Sequence, residues 1–329
     1  MTVLVTGGAG YIGSHTVHEL VDAGEHVLVL DNLSNGFLDA LPDPANAVIG
    51  DVGDQGLVRS LIGANSIDAI IHFAGSIVVP ESVRDPLGYY RNNTVNSRAL
   101  IESAINGGVR HFIFSSTAAV YGNPERVPVA EDAALKPVSP YGWSKLMTEI
   151  MLRDAAAAHG LNHVILRYFN VAGADPKRRT GQSTPNATHL IKAAVQAALG
   201  LRPQLEVFGT DYPTPDGTCI RDYIHVTDLA HAHLAALAYL RRGGTSTTVN
   251  CGYGRGYSVL EVIEAVRRAA GGDLAVSKGH RRVGDPATIV AQAEKIRELF
   301  GWMPEWNNLD TIVIHALGWE RTLLKKRDQ

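Results

Sequence analysis

The chain has 329 residues, 45% of them hydrophobic, and its 30 Lys and Arg against 33 Asp and Glu give a formal charge of -3. That length suits one large α/β domain with a second lobe, and the near-even charge gives no reason to expect a nucleic-acid or membrane surface. No apolar run reaches the roughly 18 residues of a membrane span, the N-terminus enters a strand without a basic signal region, and two cysteines, Cys219 and Cys251, have neither zinc-site spacing nor a disulfide framework; a reducing, cytoplasmic setting with no metal is expected.

In chain order, Thr2-Val3-Leu4-Val5-Thr6 reads as a strand, followed by glycines and a helix from about Tyr11 to Ala23. Further strands are expected at 26–30, 47–49, 69–73, 111–114 and 164–168. They are apolar throughout rather than alternating, which suits strands buried on both faces of a parallel sheet. Helical patterns fall between them, notably from Tyr89 to Asn106 and from Tyr141 to His159. The fold class is therefore α/β, a doubly wound, Rossmann-type, mostly parallel sheet with a smaller α/β lobe toward the C-terminus. After Gly173 the pattern changes. Ala174 to Asn186 reads as a loop, Thr188 to Leu199 as a helix, 205–208 as a strand and Gly209 to Thr218 as a loop. Helices are expected at 226–241, at 258–270 and from Asp310 onward. The expected partition is a dinucleotide-binding domain over 1–173 plus about 222–252, and a substrate lobe over about 174–221 and 253–329.

Thr6-Gly7-Gly8-Ala9-Gly10-Tyr11-Ile12-Gly13 follows a strand and opens a helix. Gly7, Gly10 and Gly13 allow a tight turn and close approach of backbone to a pyrophosphate, which then faces the helix N-terminus at Tyr11 and Ile12. Asp31 ends the second strand, where a carboxylate accepts hydrogen bonds from an adenosine ribose and repels a 2′-phosphate. Asn32-Leu33-Ser34-Asn35 adds no Arg or Lys, so NAD is preferred to NADP. Asp51 and Val52 after the third strand are placed under the adenine. Phe73, Ala74 and Gly75 close the fourth strand, where small residues let the cofactor approach.

Ser139-Pro140-Tyr141-Gly142 reads as a helix start, with Ser139 as N-cap and Pro140 at the first helical position. Tyr141 and Lys145 then lie one turn apart on one face. A nearby ammonium, the helix dipole and an oxidised nicotinamide all favour the phenolate, which makes Tyr141 a candidate base. Thr117 ends the fifth strand, on the side where ligands bind in this architecture. The histidines are expected to be structural, Cys251 a small buried hydrophobe, and Trp143 a packing residue.

Together these stretches resemble the extended short-chain dehydrogenase/reductase family, in particular its NAD-dependent nucleotide-sugar epimerases. The carriers are VTGGAGYIGSH at 5–15, LDNLSNG at 30–36, HFAGS at 72–76, FSSTAAVYG at 114–122, SPYGWSK at 139–145, LRYFNVAG at 166–173, FGTDYPTPDGTCIRDYIHV at 208–226 and RRVGDPA at 281–287. The resemblance implies a cycle without net redox change that interconverts UDP-glucose and UDP-galactose. Tyr141 would take the proton of the sugar 4-hydroxyl while hydride passes to NAD, the 4-keto sugar would rotate, and hydride would return to the other face. Thr117 would hold the 4-oxygen and Lys145 the nicotinamide ribose. By the same carry-over Asn92, Ser115 and Tyr168 join the cofactor set, and Asn170, His189, Leu190, Phe208, Arg221, Tyr223, Arg282 and Asp285 contact the UDP-sugar. The family usually forms a homodimer through helices equivalent to Tyr89–Asn106 and Met147–His159. Dehydratases of the family carry an Asp-Glu pair after the hydroxyl. Here Ala118 and Ala119 stand there and can move no proton. Ile77 replaces a frequent lysine, and Ile289 lies near a gate position. UDP-N-acetylhexosamines, UDP-pentoses and UDP-uronic acids are alternative substrates.

Overall fold

In the computed structural model, which describes residues 1–42, 46–185, 187–282 and 284–327 (the backbone only at 327), the apolar runs form one parallel sheet. Asn186 in the expected loop and Val283 in the 281–287 segment lie outside the described residues. The first half of the chain contains β1 (Thr2–Thr6), α1 (Tyr11–Asp22), β2 (His26–Asp31), β3 (Asn46–Ile49), α2 (Gln55–Asn65), β4 (Ile67–His72), α3 (Val79–Arg84), α4 (Pro86–Tyr89), a π-helical segment (Tyr90–Val95), α5 (Asn96–Asn106), β5 (His111–Thr117) and α6 (Pro140–His159). Next come β6 (Asn162–Tyr168), β7 (Asn170–Ala172), α7 (Leu190–Ala198), β8 (Leu205–Phe208), β9 (Ile220–His225), α8 (Val226–Arg241) and β10 (Thr247–Cys251). The last elements are β11 (Gly256–Ser258), α9 (Val259–Ala270), β12 (Val276–Gly279), β13 (Thr288–Ile289), α10 (Glu294–Phe300) and α11 (Leu309–Arg327).

The main sheet runs β10-β6-β5-β4-β1-β2-β3, with every pairing parallel. Val3, Leu4, Val5, Ile70, Ile71, Phe112 and Ile113 are fully buried in it, as strands covered on both faces must be. Strand order reverses between β1 and β4, and the crevice beyond their carboxyl ends is where ligands bind in such sheets. A smaller sheet joins β11, β9 and β13, with β7 on β9, and β12 pairs β8.

Three expectations change. The 89–106 stretch is not one α-helix: it passes through the π-helical segment before α5. α7 starts at Leu190 because His189 is extended, with φ -65° and ψ 132°. Ser258 caps α9 rather than joining it; its side chain accepts from the Glu261 N–H while Glu261 accepts from the Ser258 N–H.

Candidate active site

The turn after β1 is built on backbone contact. Gly7 has φ +69°, and a Cβ there would lie 2.6 Å from the Ala74 nitrogen. A Cβ at Gly13 would lie 2.2 Å from the Gly7 carbonyl oxygen. Gly10 caps α1 without any side-chain acceptor, which leaves the first-turn N–H groups, Tyr11 and Ile12 among them, directed at the crevice. This cradle fits a dinucleotide pyrophosphate. The Tyr11 phenol donates to the Gly173 carbonyl at 2.8 Å, so Tyr11 offers the turn only its backbone. Asp31 is buried. Its carboxylate accepts from the Ala9 and Leu33 N–H groups at 2.9 and 2.8 Å, which fixes it and leaves acceptor capacity for a ribose.

Beside the turn, Asn32, Ser34, Asn35, Asp51 and Asn92 line one open cleft with Ser76, Arg84, Tyr89 and Asn96. Asp51 is held by the Gly53 N–H at 2.8 Å and the Asn96 amide at 3.0 Å. Val52 is not in that lining; it packs in the apolar core, and its backbone alone is left for a ligand. Phe73 lies 4.7 Å from the His233 ring.

The reacting end gathers at the carboxyl end of β5. Ser139 caps α6, accepting from the Gly142 N–H at 3.2 Å, with Pro140 beginning the helix as expected. Tyr141 is buried, and burial pushes its phenol up, while contact with the Thr117 hydroxyl pulls the other way. Desolvation of the anion thus opposes the depression expected from Lys145, the helix end and an oxidised nicotinamide. The Lys145 ammonium is buried, donates to the Ser115 carbonyl at 3.1 Å and sits 5.0 Å over the Phe114 ring. Burial brings it down to about 8, and Glu149 opposes that shift. The Ser115 hydroxyl meets His233 Nε2 at 3.0 Å. Tyr168 feels the Tyr141 phenol and is pushed up mainly by burial.

The substrate candidates fall in two groups. Asn170, His189, Leu190 and Tyr223 line a pocket floored by the buried pair of Lys192 and Glu320 and walled by Trp319. Outside that lining, the Arg282 guanidinium stacks 3.8 Å from the Phe208 ring centre, and Arg221 lies 3.8 Å from Asp285. Ile77 is exposed and Ile289 buried. Trp143, expected to pack, is 42% exposed.

Sequence reading missed Asn93. Its amide donates to the Ser76 carbonyl at 2.9 Å and to Ser144 Oγ at 3.0 Å, and its oxygen accepts from the Ser76 N–H at 2.7 Å. It ties the strand-end loop to the helix that carries Tyr141. The Asn92-Asn93 doublet was its only signal. His72 was also missed as a site support; it bridges Thr6 and Ser97 at 2.7 Å each.

Residues 3–252 match the NAD dependent epimerase/dehydratase family. The chain belongs to that family and is an NAD-dependent enzyme. It is 60% identical over 321 residues to the UDP-glucose 4-epimerase of Azospirillum brasilense, covering 98% of this chain and 92% of the relative. The UDP-glucose 4-epimerase from Brucella ovis in complex with NAD is 44% identical with a TM-score of 0.94, covering 96% of this chain and 97% of that one. The UDP-glucose-4-epimerase from Stenotrophomonas maltophila with bound NAD and formylated UDP-arabinopyranose is 39% identical with a TM-score of 0.96, covering 99% of each.

Proposed function

We propose that the protein interconverts UDP-glucose and UDP-galactose by transient oxidation at C4 of the hexose. The observation that carries this reading is the convergence of Thr117, Tyr141 and Lys145 beside the crevice of a glycine-closed dinucleotide turn. When bound, NAD supplies the hydride acceptor and donor and a positive ring beside the phenol. Tyr141 Oη takes the proton of the 4-hydroxyl and later returns it. Thr117 orients the same oxygen. Lys145 favours the phenolate and holds the cofactor ribose. Gly7, Gly10, Tyr11, Ile12, Gly13 and Asp31 cradle the dinucleotide, with Asn32, Ser34, Asn35, Asp51 and Asn92 toward the adenosine. Arg221 and Arg282 offer forked donors to the diphosphate, an arrangement suited to phosphate oxygens. Asn170, His189, Leu190 and Tyr223 receive the rest of the nucleotide sugar. Ala118 and Ala119 supply no acid or base for water loss.

On this reading the dinucleotide domain spans 1–173 and about 222–252, and the remainder forms the substrate lobe. A homodimer is part of the proposal: Trp143, Met147 and Ile150 expose an apolar stripe along α6, and Val95 adds to it from the neighbouring segment. Such a stripe is a self-complementary surface when two copies pair about a two-fold axis. A cytoplasmic role in galactose metabolism completes the reading. Purified protein given UDP-galactose, with no NAD added, should yield UDP-glucose. Release of water or carbon dioxide, or no conversion, would overturn it.

A further inference from the structure

Two charged side chains lie buried behind the reacting residues without taking part in that chemistry. Glu149 on α6 is 0% exposed and Arg167 on β6 is 3% exposed. The guanidinium donates in a fork, Nε to Oε1 at 3.0 Å and Nη2 to Oε2 at 2.7 Å. Ser116 Oγ donates to the same Oε1 at 2.5 Å. Arg167 Nη1 donates to the Tyr121 hydroxyl and the Glu131 carbonyl, each at 3.1 Å. The Tyr121 hydroxyl donates to Asn250 Oδ1 at 2.6 Å. Every member has its partner.

The placement of these groups is specific. Ser116 precedes Thr117 in β5, Arg167 precedes Tyr168 in β6, and Glu149 follows Lys145 by one turn on α6. One carboxylate thus joins the helix bearing Tyr141 and Lys145 to the two strands bearing the rest of the site. A buried ion pair adds little stability over apolar side chains of like volume, so stability alone does not account for it. The groups facing Lys145 are the Ser115 carbonyl and Phe114 ring from β5, Gly75 with a would-be Cβ 3.6 Å from Nζ, His72 from β4, and Glu149 from its own helix. Burial keeps His72 neutral, down to about 3. Glu149 itself faces Arg167 and Ser116.

We propose that Glu149 is a positioning residue for the Tyr141–Lys145 pair: clamped by Arg167 and Ser116, it sets the seat of α6 against β5 and β6 and presents a buried negative charge to the Lys145 ammonium. Glu149 touches neither the 4-oxygen nor the nicotinamide in this scheme; it acts through Lys145. The inference rests on the function read above for Lys145.

The test follows the Lys145 amine by NMR of the intact protein labelled with 13C-lysine, the signal assigned by its loss in Lys145→Met. In Glu149→Gln the titration midpoint should fall by about one pH unit, as expected when a neighbouring opposite charge is removed. Epimerisation at pH 7 should show kcat down about tenfold with KM within about twofold, the pattern of a change felt in the transition state and not in substrate binding. Glu149→Asp keeps the charge and should restore the midpoint. Should Glu149→Gln fail to fold, the double variant Glu149→Gln/Arg167→Gln leaves no lone buried charge; because it also removes the positive charge beyond Glu149, its midpoint should still fall but by less than in the single variant. A midpoint that stays at the parental value in the folded variant would overturn the proposal, whatever the rate does. A parental protein that does not convert UDP-galactose would sink the assigned reaction, and the NMR midpoint would still judge Glu149.

Discussion

Gly13 faces the Gly7 carbonyl so closely that a Cβ at position 13 would stand 2.2 Å from that oxygen and 2.8 Å from the Gly8 Cα. Backbone atoms cannot swing aside as a side-chain tip can, so Gly13→Ala must open the turn. Expected outcomes are a loss of about 2–4 kcal/mol in stability, in the range of strained backbone substitutions, and NAD binding weakened at least about tenfold. Gly10→Ala meets the same oxygen at 3.2 Å and should be milder. Urea unfolding and NAD titration of both variants check the order. Equal behaviour of the two would mean that the turn yields more easily than its contacts indicate.

Tyr141 is buried at the start of α6, and replacing it with Phe removes one oxygen without emptying its space. Tyr141→Phe should lower kcat by about 10²–10⁴, the usual contribution of a positioned proton-transfer group. NAD content and UDP affinity should stay at the parental values. Single-turnover assays with UDP-galactose separate chemistry from binding. Parental turnover in this variant would remove the phenol from the mechanism.

Asn93 offers a different kind of test, because its effect is exerted from behind the site. It is 2% exposed and satisfies both Ser76 backbone groups as well as Ser144. Asn93→Ala strands the Ser76 N–H in a partly buried loop, at a cost of about 1–3 kcal/mol. The loop carrying Gly75 then loses its register against α6. A lower melting temperature together with a fall in kcat is expected. A variant that is less stable yet fully active would show that the loop is held by other contacts.

The parts of this architecture that were legible in the sequence are those whose physics is local. The Gly7–Gly13 turn declares itself through glycines spaced for a tight backbone between a strand and a helix, and the start of α6 through Ser139 and Pro140, residue types favoured at the N-cap and first helical position. β1, β4 and β5 show as apolar runs because both faces are covered. β9 did not, because its Arg221 and Asp222 interrupt the run; Asp222 is nevertheless 0% exposed and accepts from the Tyr253, Gly254 and Ala291 N–H groups. Glu149 and Arg167 lie 18 residues apart and give no local sign that the fold pairs them. The π-helical segment at Tyr90–Val95 leaves no compositional trace, since it inserts one residue into an otherwise ordinary helical pattern. What sequence hides here is long-range satisfaction of buried polar groups, which depends on partners far along the chain.

Buried histidines set the acid limit of the fold. His72 is held down to about 3, and His15 and His233 each to about 4, all chiefly by burial. An unfolded histidine titrates near 6.5. Below that pH the unfolded chain binds more protons than the native one, so stability rises with pH in this range. The contribution is fully present above about 6.5 and is lost as pH falls from there toward the folded values. Each group adds a slope of up to about 1.4 kcal/mol per pH unit. His231 works in the opposite sense: the hydrogen bond to Glu19 raises it, so its contribution is present below about 6.5 and fades as pH rises through its folded value. His163, also held down to about 4, and His225 are lowered chiefly by burial as well, so the histidines together leave a net loss toward acid. Urea midpoints should therefore fall between pH 6.5 and 5, before carboxylates titrate in bulk. His72→Gln keeps polar atoms for Thr6 and Ser97 and should flatten the dependence by about one proton. An unchanged slope in that variant would mean that His72 takes up its proton without unfolding the sheet around it.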